Sequence, residues 1–290
     1  PLGTRLIFKV KTDADGAYVK DKARMVVQGN RAQLGKHHLA TFAPMASTAT
    51  MRCMLAAAVH VNKPIRQADV PSAFVTANLP RSVSIRMPPG VQVESPDGTL
   101  TQNVDIRKAL YGLKDSPQLF NQRLSELFER HGYTRSEHDT CFFYKRVPNG
   151  FIMLITQVDD LLILASNDSL LTELQTVLKE LDVPEIVPAR SFFGLRIQQD
   201  LEKQTLTIDV AAQIHKFFEK HPILQNLRRS RVPSGTKPKP SIGPYTQEQQ
   251  YIQDNYSTIA ASFIFAATHA RPDISFDAGR LTQGMSKPTR

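Results

Sequence analysis

Two apolar runs, Phe151 to Ile155 and Leu161 to Ala165, enclose Gln157-Val158-Asp159-Asp160, and this stretch narrows what the chain can fold into more than any other. Short apolar runs on either side of a polar turn read as the strands of a buried hairpin. Adjacent aspartates at its tip repel each other unless a cation sits between them. A tip that projects from buried strands leaves the pair no easy way apart, and a divalent ion that prefers hard oxygen, Mg2+ or Mn2+, would resolve the conflict. Ile65-Arg66-Gln67-Ala68-Asp69 has the look of another short strand ending in a carboxylate. Three carboxylates on one sheet edge could hold two metals about 3.5–4 Å apart, as in polymerases and some nucleases. Asp-Asp pairs also occur in plain surface turns, so the pair takes its meaning from what surrounds it.

The surroundings mix helices and strands without a regular βαβ rhythm. Residues 5–28 read as strands around an Asp13-Ala14-Asp15-Gly16 turn. A calcium loop is the other reading of those aspartates, but the later Glu is missing. Ser47 or Thr48 can cap a helix running to about His60. Ser116-Pro117 marks a second start, with Ser116 as N-cap and Phe120, Leu124, Leu127 and Phe128 at helical spacing up to Gly132. A third helix spans 169–181. Gln204 to Ile208 is a short strand, and Asp209 caps a helix with Ile214, Phe217 and Phe218. Arg228 to Pro244 is a basic, Pro-rich linker, and a last helix runs from about 247 to 270. No Gly-rich phosphate loop occurs, so an α+β fold is indicated and neither a Rossmann nor a P-loop one.

Bulk properties set the class. A chain of 290 residues with 41% hydrophobic content supports two or three subdomains with real cores. No apolar run approaches the roughly 18 residues of a membrane span, and no cleavable signal is visible, which leads to the expectation of an intracellular protein. Pro1-Leu2-Gly3 reads as the remnant of a cleaved tag. Cys53 and Cys141 match no zinc or disulfide pattern and read as buried small apolar residues. A net charge of +9 favours a polyanionic partner, and nucleic acid fits best.

The chain resembles the copia-type LTR retrotransposon reverse transcriptases. The segments that carry the likeness are Lys22-Ala23-Arg24-Met25-Val26, Thr41-Phe42-Ala43-Pro44, Gln67-Ala68-Asp69-Val70-Pro71-Ser72-Ala73-Phe74 and Leu110-Tyr111-Gly112-Leu113-Lys114-Asp115-Ser116-Pro117. Val158-Asp159-Asp160, Phe192-Phe193-Gly194 and Arg271-Pro272-Asp273-Ile274-Ser275 follow, in the family's order. The resemblance implies a right-hand polymerase fold with an antiparallel palm sheet backed by helices. Fingers would come from 1–45 and 77–115, palm from 46–76 and 116–200, and thumb from 201–244. Residues 245–290 would form a C-terminal helical segment opening a connection.

The resemblance also implies roles. Asp69, Asp159 and Asp160 would be the catalytic carboxylates and, with the backbone of Val70, would hold two Mg2+ ions, with Mn2+ as a substitute. Lys22 and Arg24 would meet the triphosphate, Phe74 would gate the sugar, and Tyr111 and Gly112 would wall the incoming nucleotide. Lys114, Gln157, Phe192, Phe193 and Gly194 would touch template or primer. The expected activity is RNA- and DNA-templated extension of a primer with dNTPs, in a particle or the cytoplasm. Gln157 stands where the family usually has Tyr, and Asp115, Gln118 and Phe120 replace the usual Gln, Arg and Trp. Asp115 would bring a negative charge near a phosphate path. A ribonuclease H domain would be expected to begin about where this sequence stops. The competing readings are a retired polymerase fold that only binds nucleic acid, and a two-metal nuclease, which would need neither sugar gate nor primer grip.

Overall fold

The computed structural model describes residues 1–12, 18–33, 35, 37, 41–95, 97–226 and 244–285. The Asp13–Gly16 turn and nearly all of the 228–244 linker lie outside the described residues. Two compact units follow each other along the chain, 1–188 and 189–290.

The first unit begins with a long ribbon, β1 (Leu2–Thr12) and β2 (Tyr18–Val27), paired antiparallel from Thr4↔Val27 outwards. Leu2 and Gly3 pair in parallel with Ile85 and Arg86, and Leu2 is buried. Leu2, set aside in the sequence as part of a tag remnant, is thus part of the core. Helix α1 (Thr48–His60) starts where expected, with the Ser47 hydroxyl accepting from the Ala49 amide. It buries Met51, Met54, Leu55 and Ala58 and leads into β3 (Ile65–Asp69). Cys53 is exposed on this helix, against expectation, because it falls between the buried positions of the stripe; Cys141 is buried, and burial pushes its thiol up to about 11.

Strand β4 (Asn78–Arg86), the short pair β5 (Val93–Glu94) and β6 (Leu100–Thr101), and β7 (Asn103–Lys108) follow; β4 and β7 complete a four-stranded sheet in the order β2-β1-β4-β7. Helix α2 (Ser116–Arg130) has Asp115 at its N-cap, one residue earlier than expected. Ser116 cannot serve there because its hydroxyl donates to the Leu110 carbonyl at 2.7 Å and is fully buried.

Strands β8 (Thr134–Arg135), β9 (Phe142–Val147), β10 (Gly150–Gln157) and β11 (Asp160–Ala165) come next, then α3 (Asp168–Leu178) and β12 (Val187–Pro188). They form a second sheet in the order β12-β3-β11-β10-β9-β8. The run Leu161–Ala165 is buried throughout, as a central strand covered on both faces must be. Phe128 of α2 meets Phe143 of β9 at 5.1 Å between ring centroids, and Leu170, Leu174, Val177 and Leu178 bring α3 into the same core. Asn167 caps α3 through the Leu170 amide at 3.1 Å; its last turn, 179–181, tightens to a 3-10 helix.

The second unit holds β13 (Ser191–Phe192), β14 (Leu195–Asp200) and β15 (Thr205–Asp209) in one antiparallel sheet, followed by α4 (Ala211–Lys220), α5 (Gln247–His269) and α6 (Ser275–Gln283). Val210, and not Asp209, is the N-cap of α4; Asp209 stands one residue before it and accepts from the Ala211 amide at 2.9 Å. Thr246 and Gln249 form a reciprocal capping box at the start of α5. Among the described residues no helix is long and apolar enough to cross a membrane.

Candidate active site

The acidic tetrapeptide is a two-residue hairpin turn. Gln157 pairs with Asp160 across the β10–β11 ladder, leaving Val158 and Asp159 at the tip. Val158 has φ +55, a conformation that favours glycine at this position of a tight hairpin and costs a β-branched residue about 1–2 kcal/mol. Strand β11 pairs on its other side with β3, and Asp160 lies directly opposite Asp69. The backbone amide of Val70 donates to the Asp159 carbonyl at 2.8 Å and ties the tip to the end of β3. Three carboxylate-bearing residues thus come from two adjoining strands and the turn that joins one of them to β10.

Their electrostatics follow from that placement. Burial first, then the charges of Asp159 and Asp69, push the Asp160 carboxyl up to about 6. Asp160 is solvent-exposed as a residue, so access is open while its acidic group is partly desolvated. Tyr111 feels the same cluster: burial raises its phenol, Asp159 and Asp69 raise it further, and the Arg24 charge opposes them. The donor set is hard oxygen only, the chemistry that Mg2+ or Mn2+ takes. Among the described residues no group of three or more His, Cys, Asp or Glu side chains is placed so that it could hold a metal ion. A divalent ion fits the charge of the site, and the carboxylates would have to gather round it.

Beside the carboxylates stands a stack of three side chains. The Arg24 guanidinium lies 5.0 Å from the Tyr111 ring centroid, and Phe74 meets Tyr111 edge-on at 4.7 Å. Phe74 is buried and also contacts Phe120 of α2 at 6.2 Å. The sharp turn after Asp69, with Ser72 at φ +50 opening a 3-10 turn over Ala73–Thr76, aims that ring. Gly112 has φ +91, and a Cβ there would run into the Val27 carbonyl. Gly29 is pressed as closely on the Gly112 carbonyl, and the Val27 amide donates to the Tyr111 carbonyl at 2.8 Å. Gly29 and Val27 went unnoticed in the sequence, since a contact between segments this far apart leaves no local signal. Lys22 is half-buried on β2 and Lys114 is exposed just past the Tyr111–Gly112 turn.

Two departures from the family pattern acquire a place. Gln157 accepts from the Ala46 amide at 3.2 Å, and Asp139 accepts from the Ser47 amide at 2.9 Å. Together they pin the entry to α1, the helix that delivers β3 and Asp69. Asp115, expected near a phosphate path, is 7% exposed and heads α2, where a negative charge is favoured by the helix dipole.

In the second unit Phe192 and Leu195 pair around the two-residue turn Phe193–Gly194, both with positive φ, the signature of a type I′ hairpin. Phe192 is buried and lies edge-on to Phe193 at 5.0 Å. The Gln213 side-chain amide of α4 donates to the Gly194 carbonyl and holds the turn.

Comparison with known proteins places the chain in a family. Residues 1–233 match the family described as reverse transcriptase (RNA-dependent DNA polymerase). The chain is 27% identical over 294 residues to the retrovirus-related Pol polyprotein from transposon TNT 1-94 of Nicotiana tabacum. It is 31% identical over 296 residues to that from transposon RE2 of Arabidopsis thaliana, and 28% over 295 residues to that from RE1 of the same plant. Each alignment takes in 99% of this chain, but the chain spans only 22% of the first relative and 19% of the other two.

Proposed function

Because the chain belongs to the reverse transcriptase family, among the Pol sequences of copia-type transposons, we propose that it extends a nucleic-acid primer with dNTPs along an RNA or DNA template, using Asp69, Asp159 and Asp160. The observation that carries this reading is the register that sets Asp160 opposite Asp69 with Asp159 tied to Val70 at the same edge. In this reading 1–45 and 77–115 act as fingers, 46–76 and 116–200 as palm and 201–244 as thumb, with 245–290 leading onward.

Two divalent ions held by the carboxylates and the Val70 carbonyl would supply activation of the primer 3′-hydroxyl and neutralisation of the leaving pyrophosphate. The residues of the chain do the rest by position. Arg24, steadied on the Tyr111 ring, offers its guanidinium to the triphosphate, with Lys22 beside it. Phe74, held edge-on by Tyr111 and Phe120, presents a rigid edge where a 2′-hydroxyl would clash, which favours deoxynucleotides. Gly112 keeps the wall close to β2 because no side chain intrudes. Lys114 and Gln157 would lie along template and primer, and the Phe192-Phe193-Gly194 turn would grip the primer end.

A second reading, a polymerase fold that binds nucleic acid without catalysis, is favoured by Gln157, whose amide is committed to Ala46 where the family has a ring for the primer. Primer extension on matched RNA and DNA templates with Mg2+ or Mn2+ decides between them, with Asp159→Asn/Asp160→Asn as control. Extension lost in the control supports the polymerase. Tight binding without extension supports the second reading.

A further inference from the structure

Helix α4 buries none of its residues completely, although Ile214, Phe217 and Phe218 fall at helical spacing on one side of it. A stripe of that kind normally meets its partner in a core. Here it faces α5 across a cavity of about 830 Å3, within the size range of small-molecule sites. Small residues of α5, Ser257, Ala261 and Ser262, leave the room, while Phe217 reaches Phe263 edge-on at 5.9 Å along one wall. Phe263 is 37% exposed. Apolar rings left half in water around a concave space favour whatever apolar surface can enter it.

The cavity also holds an unmet polar need. Gln213 of α4 is among its lining residues, and its side-chain amide donates to the Gly194 carbonyl. A carbonyl can only accept, so that bond fixes which end of the Gln213 amide faces the turn. The other end, Oε1, is buried and finds no donor among the described residues. A buried acceptor without a partner is destabilising. Flipping the amide would set Oε1 against the Gly194 carbonyl, so the side chain has no relief of its own. Arg271, also in the lining, is paired with Asp273 at 2.6 Å, and its charge does not call for an anionic group.

We infer that the cavity between α4 and α5 binds a neutral aromatic small molecule that carries one N–H donor. Its rings lie among Ile214, Phe217, Phe218 and Phe265, and its N–H bonds Gln213 Oε1 once that side chain swings its free lone pairs inward about the Gly194 bond. A ligand with acceptors alone would leave Oε1 unpaired, and a charged one would lose its hydration among the rings. The site lies within the second unit, and the inference is independent of the polymerase reading.

The test uses N-phenyl-1-naphthylamine, a neutral fluorophore with one N–H, and 1-phenoxynaphthalene, its ether counterpart without the donor. On the intact chain the amine should bind saturably, one per chain, with enhanced and blue-shifted emission. The ether should displace it only at roughly tenfold higher concentration. Gln213→Met keeps an apolar wall and removes the acceptor, so it should bring the two probes to equal affinity. Ala261→Phe should abolish binding of both. Ala261 is exposed, so the added ring stands clear of the core, and an unchanged urea midpoint would show that the fold is kept. Equal affinities for the unaltered chain, or a preference for the amine that survives Gln213→Met, would overturn the donor assignment. Undiminished binding to folded Ala261→Phe would put the probe elsewhere and overturn the site. Absence of saturable binding to the unaltered chain would overturn the inference outright.

Discussion

Asp160 stands directly opposite Asp69 across the β3–β11 ladder, so two carboxylates share one face at the edge of the sheet. Like charges opposed in this way cost roughly 0.2–1 kcal/mol. Asp160→Asn should therefore raise the unfolding midpoint of the chelator-treated chain while abolishing primer extension. A calorimetric scan in chelator beside an extension assay checks both. A variant that loses stability as well as activity would mean that the carboxylate serves the fold, and the site would have to be redrawn.

Phe74 has a packing role whatever else it does, because its ring is buried between Tyr111 and Phe120. Phe74→Val should cost about 2 kcal/mol through the lost ring volume. It should also raise ribonucleotide incorporation relative to deoxynucleotide, read as a ratio of kcat/KM values. Destabilisation with an unchanged ratio would leave the ring as core and retire the sugar gate.

The hairpin at 150–165 and the helices with regular apolar spacing were legible in the sequence, because each is specified by its own local pattern. Asp69 was legible as a strand end. That it faces Asp160 was not, since register between strands so far apart in the chain is set by tertiary packing. The cap of α2 was misplaced because Ser116 is drawn inward by the Leu110 carbonyl, a partner outside the helix. Cys53 was misjudged because an alanine-rich helix gives little contrast between its faces.

Gly112 is held at positive φ with the Val27 carbonyl where a side chain would go, so the wall beside the site tolerates nothing larger. Gly112→Ala should destabilise the chain by about 3 kcal/mol or more, through strain and displaced backbone together. Urea unfolding measures it. A loss no larger than about 1–2 kcal/mol, the cost of the left-handed backbone alone, would show that β2 and this turn can part without cost.

Val158 presents the opposite case, a β-branched residue where the turn geometry favours glycine. The residue is 38% exposed, so Val158→Gly gives up little burial and relieves about 1–2 kcal/mol of backbone strain, less the added freedom of the unfolded chain. Stability should change by less than about 1 kcal/mol in either direction, against the larger loss expected for a buried valine. Extension should become slower, because the Asp159 carboxylate would no longer be held by a stiff neighbour. Unchanged extension rates would mean that the bond from the Val70 amide alone positions the tip.

The second unit carries a buried histidine in contact with a tyrosine hydroxyl. His221 ends α4 with 1% exposure, and its Nδ1 lies 2.7 Å from the Tyr251 hydroxyl of α5. Burial, helped by the charge of Lys220, holds its pKa below the ordinary 6.5. A base whose folded pKa is depressed resists protonation in the native state, while the unfolded chain takes up the proton near pH 6.5. The folded state should therefore lose stability as pH falls below about 6.5, and the loss should stop only once the folded pKa is passed. His221→Gln keeps a polar partner for Tyr251 and removes the titration. The difference in unfolding free energy between the unaltered chain and this variant, followed by urea denaturation from neutral pH downward, should shift in the variant's favour as the solution is acidified. A difference independent of pH would mean that His221 titrates alike in the folded and unfolded chain and that its burial carries no proton linkage.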